Sequence, residues 1–253
     1  MSDSSVAIVT GGAQGLGAAI CIELLKKGYR VCIADIQEST AKQFAKEQQL
    51  TYGKENVMVV SCDVTKQTDY ARLFDETLAA FHRVDVLVNN AGILTEVELQ
   101  KMLDINLLGP IIGCQTALQY MGKSNGGNGG VVINTASIAG FLPFPEIPVY
   151  VASKHGVVGL TRSCGLPFHF KKDEVIFTAL CPSFSDTRLL DTANKTLDPQ
   201  LDFSKRPNLL SPEYVAKGAM KLLEDKINGS TLVVTHDGYL YVEIQEKLKN
   251  LTL

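Results

Sequence analysis

Tyr150 and Lys154 stand four residues apart in a segment with helical periodicity, and Ser137 ends the apolar run before them. A spacing of four places the tyrosine and the lysine on one helix face. A phenol with an ordinary pKa of about 10 is a weak base at neutral pH. A cation held beside it favours the phenolate, so the pair suits removal of a proton from an alcohol. Ser137 would add a hydroxyl to hold the same substrate oxygen. Taken alone, Tyr-x-x-x-Lys also fits an ordinary solvated helix. A second motif, far upstream, favours chemistry.

Thr10–Gly17 reads TGGAQGLG and follows the apolar run Val6-Ala7-Ile8-Val9. A short buried strand running into a glycine-rich turn and then a helix is a phosphate-binding arrangement for dinucleotides. Gly11 and Gly15 let the backbone turn tightly and approach a pyrophosphate, with Gln14 and Leu16 in the same cradle. Gly17 lets the next helix, over roughly 15–27, pack closely on the strand. The free N–H groups at that helix start, and its partial positive charge, favour phosphates. A second strand over 30–34 ends at Asp35, about 20 residues beyond the glycines, where an acid binds ribose hydroxyls. A carboxylate there also repels a 2′-phosphate, which selects NAD.

Apolar strands read at 6–10, 30–34, 57–61, 84–89, 131–136, 175–181 and 231–235, with helical periodicity between most of them. This alternation predicts an α/β fold over residues 1–253: a single-domain, Rossmann-like, doubly wound parallel sheet with helices on both faces. Ligands of such sheets bind at the strands' C-terminal ends, where Gly11, Asp35, Asp63, Asn90 and Ser137 fall. Ser124–Gly130 reads as a mobile connector. Residues 183–210 are polar, hold Pro199 and Pro207, and read as a substrate lid.

These features together resemble the short-chain dehydrogenase/reductase family along nearly the whole chain. The marks run in order: the glycine turn, Asp63 in CDV, NNAG at 89–92, Asn106 followed by Gly109, Ser137, the Tyr150/Lys154 pair, and CPSFSDT at 181–187. The stretches VVSCDVTKQ, LVNNAGI, DINLLGPI and PVYVASKHGVVGLTRS are most similar to a branch that oxidises eicosanoid-like alcohols with NAD. The resemblance implies that Ser137, Tyr150, Lys154 and Asn106 are the catalytic set. Asn106 would hold a water that relays protons to Lys154, and Lys154 would bind the nicotinamide ribose. Asp63 and Val64 would meet the adenine with Cys62 beside them in the cofactor site, Asn90 would line the cofactor groove, and Ser185, Asp186 and Thr187 would touch the nicotinamide carboxamide. Relatives that prefer NADP carry a basic residue where this chain has Gln14 and Ile36. A homodimer is implied as well.

Three positions depart from the family pattern. Ser183 replaces a glycine after Pro182 and removes backbone freedom there. Ile147 stands where the eicosanoid branch has a glutamine that helps bind the substrate hydroxyl. Pro167 falls inside a helix that reads as beginning near Val151, and should kink or end it. Ile147 and Phe184, with Phe141, Leu142, Phe144 and Leu189, give an apolar lining suited to a lipid-like secondary alcohol or its ketone. Hydroxylated fatty acids, eicosanoid-like acids, hydroxylactones, terpenols and steroids all fit.

Composition narrows the partners. The 253 residues are 45% hydrophobic, enough for a substantial core, and carry a net charge of −3. With no basic cluster, nothing favours nucleic acid. Six scattered cysteines form no C-x-x-C pair and read as buried thiols, without disulfide or metal. The first strand begins at about Val6 and no apolar run approaches a membrane span, so a cytoplasmic protein is expected.

Overall fold

A computed structural model describes residues 4–191, 196–198, 205 and 208–243. Among these residues, eight strands form one sheet in the order β3-β2-β1-β4-β5-β6-β7-β8. They are β1 (Val6–Thr10), β2 (Arg30–Asp35), β3 (Val57–Ser61), β4 (Val86–Asn89), β5 (Gly130–Thr135), β6 (Val175–Pro182), β7 (Thr231–Thr235) and β8 (Gly238–Tyr241). β1 to β7 pair in parallel, with Val9 beside Ile33 on one side and Val88 on the other. The strand order reverses between β1 and β4, so the crevice for a ligand opens above these two strands. β8 corrects the all-parallel expectation, because it pairs antiparallel with β7. The His236-Asp237 turn carries that hairpin, and Gly238, which opens β8, has φ 121°.

Both faces are covered. On one lie α1 (Gly15–Lys26), α2 (Glu38–Tyr52) and α9 (Pro212–Asp225), packed on Ala7, Val9, Val31 and Ile33. On the other, α3 (Gln67–Phe81) and α5 (Gly109–Met121) pack on the alternate residues Ile8, Cys32, Leu87 and Val132. α6 (Pro148–Cys164) joins that second face. Apolar residues on both sides explain why the strands read as continuous hydrophobic runs. Chain chemistry sets several helix ends. Ser211 accepts from Tyr214 N at 3.1 Å ahead of Pro212, which opens α9.

A buried polar chain crosses the second face. Tyr70 donates to Asn89 Oδ1 at 2.9 Å, Asn89 to Asn134 Oδ1 at 2.8 Å, and Asn134 to Thr161 Oγ1 at 3.0 Å. It ties α3, β4, β5 and α6 together beneath the strand ends.

α6 begins at Pro148, three residues before the expected start, and ends before Gly165. Pro167 then opens a separate helix, α7 (Pro167–Asp173), so α6 ends ahead of it, one of the two expected outcomes, and is not kinked. The 124–130 connector is tied down instead of loose: Ser124 donates to Asp173, and Gly129 N to Met121 O at 2.7 Å. All six cysteines are free, and only Cys164 is not fully buried. No helix among the described residues is long and apolar enough to cross a membrane, and they hold no His/Cys/Asp/Glu cluster suited to a metal.

Candidate active site

One cavity of about 490 Å³ lies over the C-terminal ends of β1 to β6 and gathers most of the residues singled out from sequence. Gly11, Gln14, Gly15, Leu16, Gly17, Asp35, Ile36, Cys62, Asp63, Val64 and Asn90 line one half. Ser137, Ile147, Tyr150, Lys154, Phe184, Ser185 and Thr187 line the other. Asp186 does not line it. Its side chain is exposed and its N–H is spent on Leu210 O at 2.9 Å, so of the three residues expected at the carboxamide only Ser185 and Thr187 line the cavity. Phe141 and Leu142 also miss the cavity. Phe141 packs beneath α6 against Val157 and Val158, and Leu142 is 51% exposed.

The nucleotide half is shaped by steric limits. A Cβ on Gly17 would sit 2.1 Å from Gly11 O, so only glycine lets α1 start so close to the turn. Gly11 has φ 61°, the left-handed region that favours glycine. Asn90 does more than line the groove. Its Nδ2 donates to Thr10 O at 3.0 Å and Gly11 O at 3.2 Å, strapping the turn to the end of β4. Asp35 is 5% exposed and accepts from Ala13 N at 3.1 Å and Gln37 N at 2.9 Å. Each oxygen keeps a lone pair for a ribose hydroxyl. Ile36 beside it is 66% exposed and carries no cation for a 2′-phosphate. The cradle and its acid therefore fit NAD.

In the other half, burial dominates the electrostatics. Tyr150 is 6% exposed. Burial pushes its phenol up to about 12, while the neighbouring Ser137 side chain works the other way. Lys154 is 4% exposed, and burial draws its ammonium down to about 8. Its Nζ donates to Thr135 O at 2.9 Å and lies 5.6 Å from the Tyr150 ring centre. The lowering expected for Tyr150 from the lysine is not seen: burial raises the phenol, and only Ser137 opposes it. Ser137 Oγ donates to Pro182 O at 3.4 Å and accepts from Ala139 N at 3.1 Å, which fixes the short 3₁₀ turn over 138–140.

Asn106 stands in a π-helical turn over 104–108, between α4 (Leu99–Leu103) and α5. Its side chain sits behind the cavity wall, where Oδ1 accepts from Ile93 N at 2.9 Å and Nδ2 donates to Ile93 O at 2.8 Å. A Cβ on Gly92 would lie 3.3 Å from Asn106 Oδ1 and 3.8 Å from Lys154 Nζ, so both side chains lie beside Gly92. Ser183 keeps its backbone out of the left-handed region, so serine fits without strain.

Sequence reasoning missed Ile93, Leu94 and Leu190 in the apolar wall, and Glu96 behind it. The first two lie in an irregular segment without periodicity. Of the lid expected at 183–210, the feet are described: Ser185 bridges Leu210, α8 (Arg188–Asp191) follows, and Leu197 N donates to Glu146 O at 3.1 Å. Residues 192–195, 199–204 and 206–207, with Pro199 and Pro207, lie outside the described residues.

Residues 5–198 match the family model for short chain dehydrogenases, so the chain belongs to that family of oxidoreductases. Among curated proteins it is 37% identical over 243 residues to human 15-hydroxyprostaglandin dehydrogenase [NAD(+)], covering 92% of this chain and 91% of the relative. It is 32% identical to alcohol dehydrogenase 1 of Ceratitis capitata, with 74% of each chain covered. Among solved structures, a short chain dehydrogenase/reductase from Burkholderia phymatum in complex with NAD superposes with a TM-score of 0.81. It shares 25% identity and covers 91% of this chain and 89% of its own.

Proposed function

We infer that the protein is an NAD-dependent dehydrogenase that oxidises a secondary alcohol on an apolar, lipid-like substrate to the ketone. One observation carries this reading. A buried phenol, beside Ser137 and close to a buried lysine, faces a cavity walled by Ile93, Leu94, Phe144, Ile147, Phe184 and Leu189. Hydroxy fatty acids, eicosanoid-like acids and hydroxylactones suit that wall. Ile147 gives the substrate hydroxyl no second polar partner, so Ser137 and Tyr150 hold it alone.

When bound, NAD supplies the hydride acceptor. The protein's own residues handle the proton and the alignment. Ser137 Oγ orients the substrate hydroxyl, and Tyr150 Oη takes its proton. Lys154 stabilises the phenolate and offers donors to ribose hydroxyls, while Thr135 O holds its ammonium in place. Asn106, locked to Ile93 and beside Gly92 as Lys154 is, supports the route by which the proton leaves. A homodimer is part of the same reading, from family resemblance.

Carbonyl reduction by the same site is a second reading with its own support. A phenol pushed up to about 12 is protonated at neutral pH and ready to act as an acid. The test is NADH formation from NAD across hydroxy fatty acids, hydroxylactones, prostaglandins and steroids, with the ketones and NADH run in reverse. Turnover lost on Tyr150→Phe, with NADH binding kept, supports the dehydrogenase. NADH binding without turnover of any alcohol or ketone would favour a nucleotide-binding protein instead.

A further inference from the structure

The start of α6 lacks the usual means of satisfying its amides. Pro148 at the first helical position has no N–H, and Ile147 before it offers no side-chain cap. Val151 N reaches Ile147 O at 2.9 Å, which leaves the amides of Val149 and Tyr150 without intrahelical partners. One distant carboxylate takes both. Glu96 Oε2 accepts from Val149 N at 3.2 Å and Glu96 Oε1 from Tyr150 N at 2.9 Å. Glu96 is only 7% exposed. The positive end of the helix and two N–H donors compensate its burial.

This is more than a cap on a helix end. Two oxygens on two consecutive amides fix the rotation of the first turn as well as its height, and Tyr150 is the second of those residues. The carboxylate also comes from the segment that walls the cavity. Ile93, three residues earlier, is clamped by Asn106 through both its N–H and its carbonyl. Thr95 Oγ1 accepts from Val97 N at 3.3 Å and Glu98 N at 3.4 Å, which stiffens the turn that presents Glu96. The apolar wall and the helix bearing Tyr150 and Lys154 are therefore joined at one side chain.

We propose that Glu96 is a positioning residue: its carboxylate sets the register between the Ile93–Leu94 wall and the Tyr150 phenol, so that the phenol meets Ser137 and the substrate oxygen together. The proposal rests on Tyr150 being the catalytic base. A misplacement of about 1 Å at a reacting group lowers turnover on the order of 100-fold. Loss of Glu96 should act at that scale without disturbing the nucleotide half.

The experiment compares Glu96→Ala, Glu96→Gln and Tyr150→Phe in the full chain. It measures kcat and KM with NAD and the panel alcohol the wild type oxidises fastest, NADH affinity by fluorescence, and amide hydrogen exchange. Glu96→Ala should lose kcat on the order of 100-fold with NADH affinity kept to about twofold. Exchange at the Val149 and Tyr150 amides should quicken while that of the central strands stays slow. Glu96→Gln keeps one acceptor oxygen and should recover roughly tenfold of the loss. If Glu96→Ala does not fold, Glu96→Gln carries the test, with kcat reduced and NADH affinity unchanged. Wild-type kcat in the variant that folds overturns the proposal, as does a parallel fall in kcat and NADH affinity. If Tyr150→Phe keeps its turnover, or the wild type oxidises no panel alcohol, the base assignment falls and Glu96 with it. If Tyr150→Phe is inactive and Glu96→Ala is not, the positioning role alone is wrong.

Discussion

Replacing Gly17 by alanine sets two opposed effects against each other. Alanine in a helix interior is favoured over glycine by about 1 kcal/mol. Against this, the new Cβ would lie 2.1 Å from Gly11 O and 2.7 Å from Asn90 Nδ2. Gly11 O belongs to backbone held by the Asn90 strap, so it cannot swing aside as a flexible side chain would. Overpacking of this kind costs about 1–3 kcal/mol. Loosening the two Asn90 hydrogen bonds adds about 1 kcal/mol each. The net expectation is a loss of about 2–4 kcal/mol, or a fall in Tm of roughly 5–15 °C for a chain of this size. Because the strain falls at the phosphate cradle, NADH affinity should drop on the order of tenfold or more, as a loss of about 1.4 kcal/mol suffices. Gly159→Ala is the control. It lies in α6 with open space around its Cβ position, so the same change should raise Tm by roughly 2–4 °C. Thermal melts and NADH fluorescence titrations of both variants read the difference. A Gly17→Ala protein as stable as the wild type, with unaltered NADH affinity, would refute the account of the cradle.

The buried lysine makes stability depend on pH. Its folded pKa of about 8 lies below its ordinary 10.5, so between these values the unfolded chain binds more protons and stability rises with pH. The destabilisation from burying the ammonium is full below about pH 8 and gone above 10.5. Lys154→Met should therefore be more stable than the wild type at pH 7, by up to roughly 3 kcal/mol, with the gap closing by pH 10.5 in urea melts. A gap that does not change with pH would contradict this. Tyr150 acts oppositely at higher pH: its folded value near 12 exceeds 10, so its contribution is lost as pH rises from about 10 towards 12, and Tyr150→Phe should lack that fall. Asp35→Ala should weaken NADH binding roughly tenfold to a hundredfold, from lost hydrogen bonds to a charged acceptor, and raise relative affinity for NADPH. An unchanged NADH-to-NADPH ratio in binding titrations would count against the role of that acid. Asn106→Ala removes both bonds to Ile93, so it should lower Tm and turnover together; calorimetry and steady-state kinetics check this.

The parts of the molecule readable from sequence are those with local causes. A buried strand announces itself by an apolar run, as Val6–Thr10 does, and the glycine turn by a backbone requirement that few other residues meet. Tyr150 and Lys154 declare a shared face by their spacing. What stayed hidden depends on long-range meeting. Glu96 lies 53 and 54 positions from the amides it holds; the only local hint was Pro148 following an isoleucine, a helix start with no cap of its own. Asp186 sits between two cavity residues in sequence, yet the Ser185–Leu210 bridge turns it outwards. β8 was missed although Asp-Gly stands at its turn, because a four-residue edge strand shows little alternation. Phe141 and Leu142 look no different in sequence from Phe144, and only packing divides them.

The polar chain through Tyr70, Asn89, Asn134 and Thr161 has a consequence for how this protein can change over time. All four are at most 2% exposed, and each satisfies its neighbour. Losing one leaves a buried donor or acceptor stranded, at about 1–3 kcal/mol, a large share of the stability of any single domain. Neutral drift at these positions is therefore steep in single steps, and acceptable substitutions must come in pairs. The apolar wall carries no such debt, since one hydrophobic side chain can replace another of similar size. New substrates are accessible by single mutations in the wall, while the layer beneath the reacting groups is held nearly fixed.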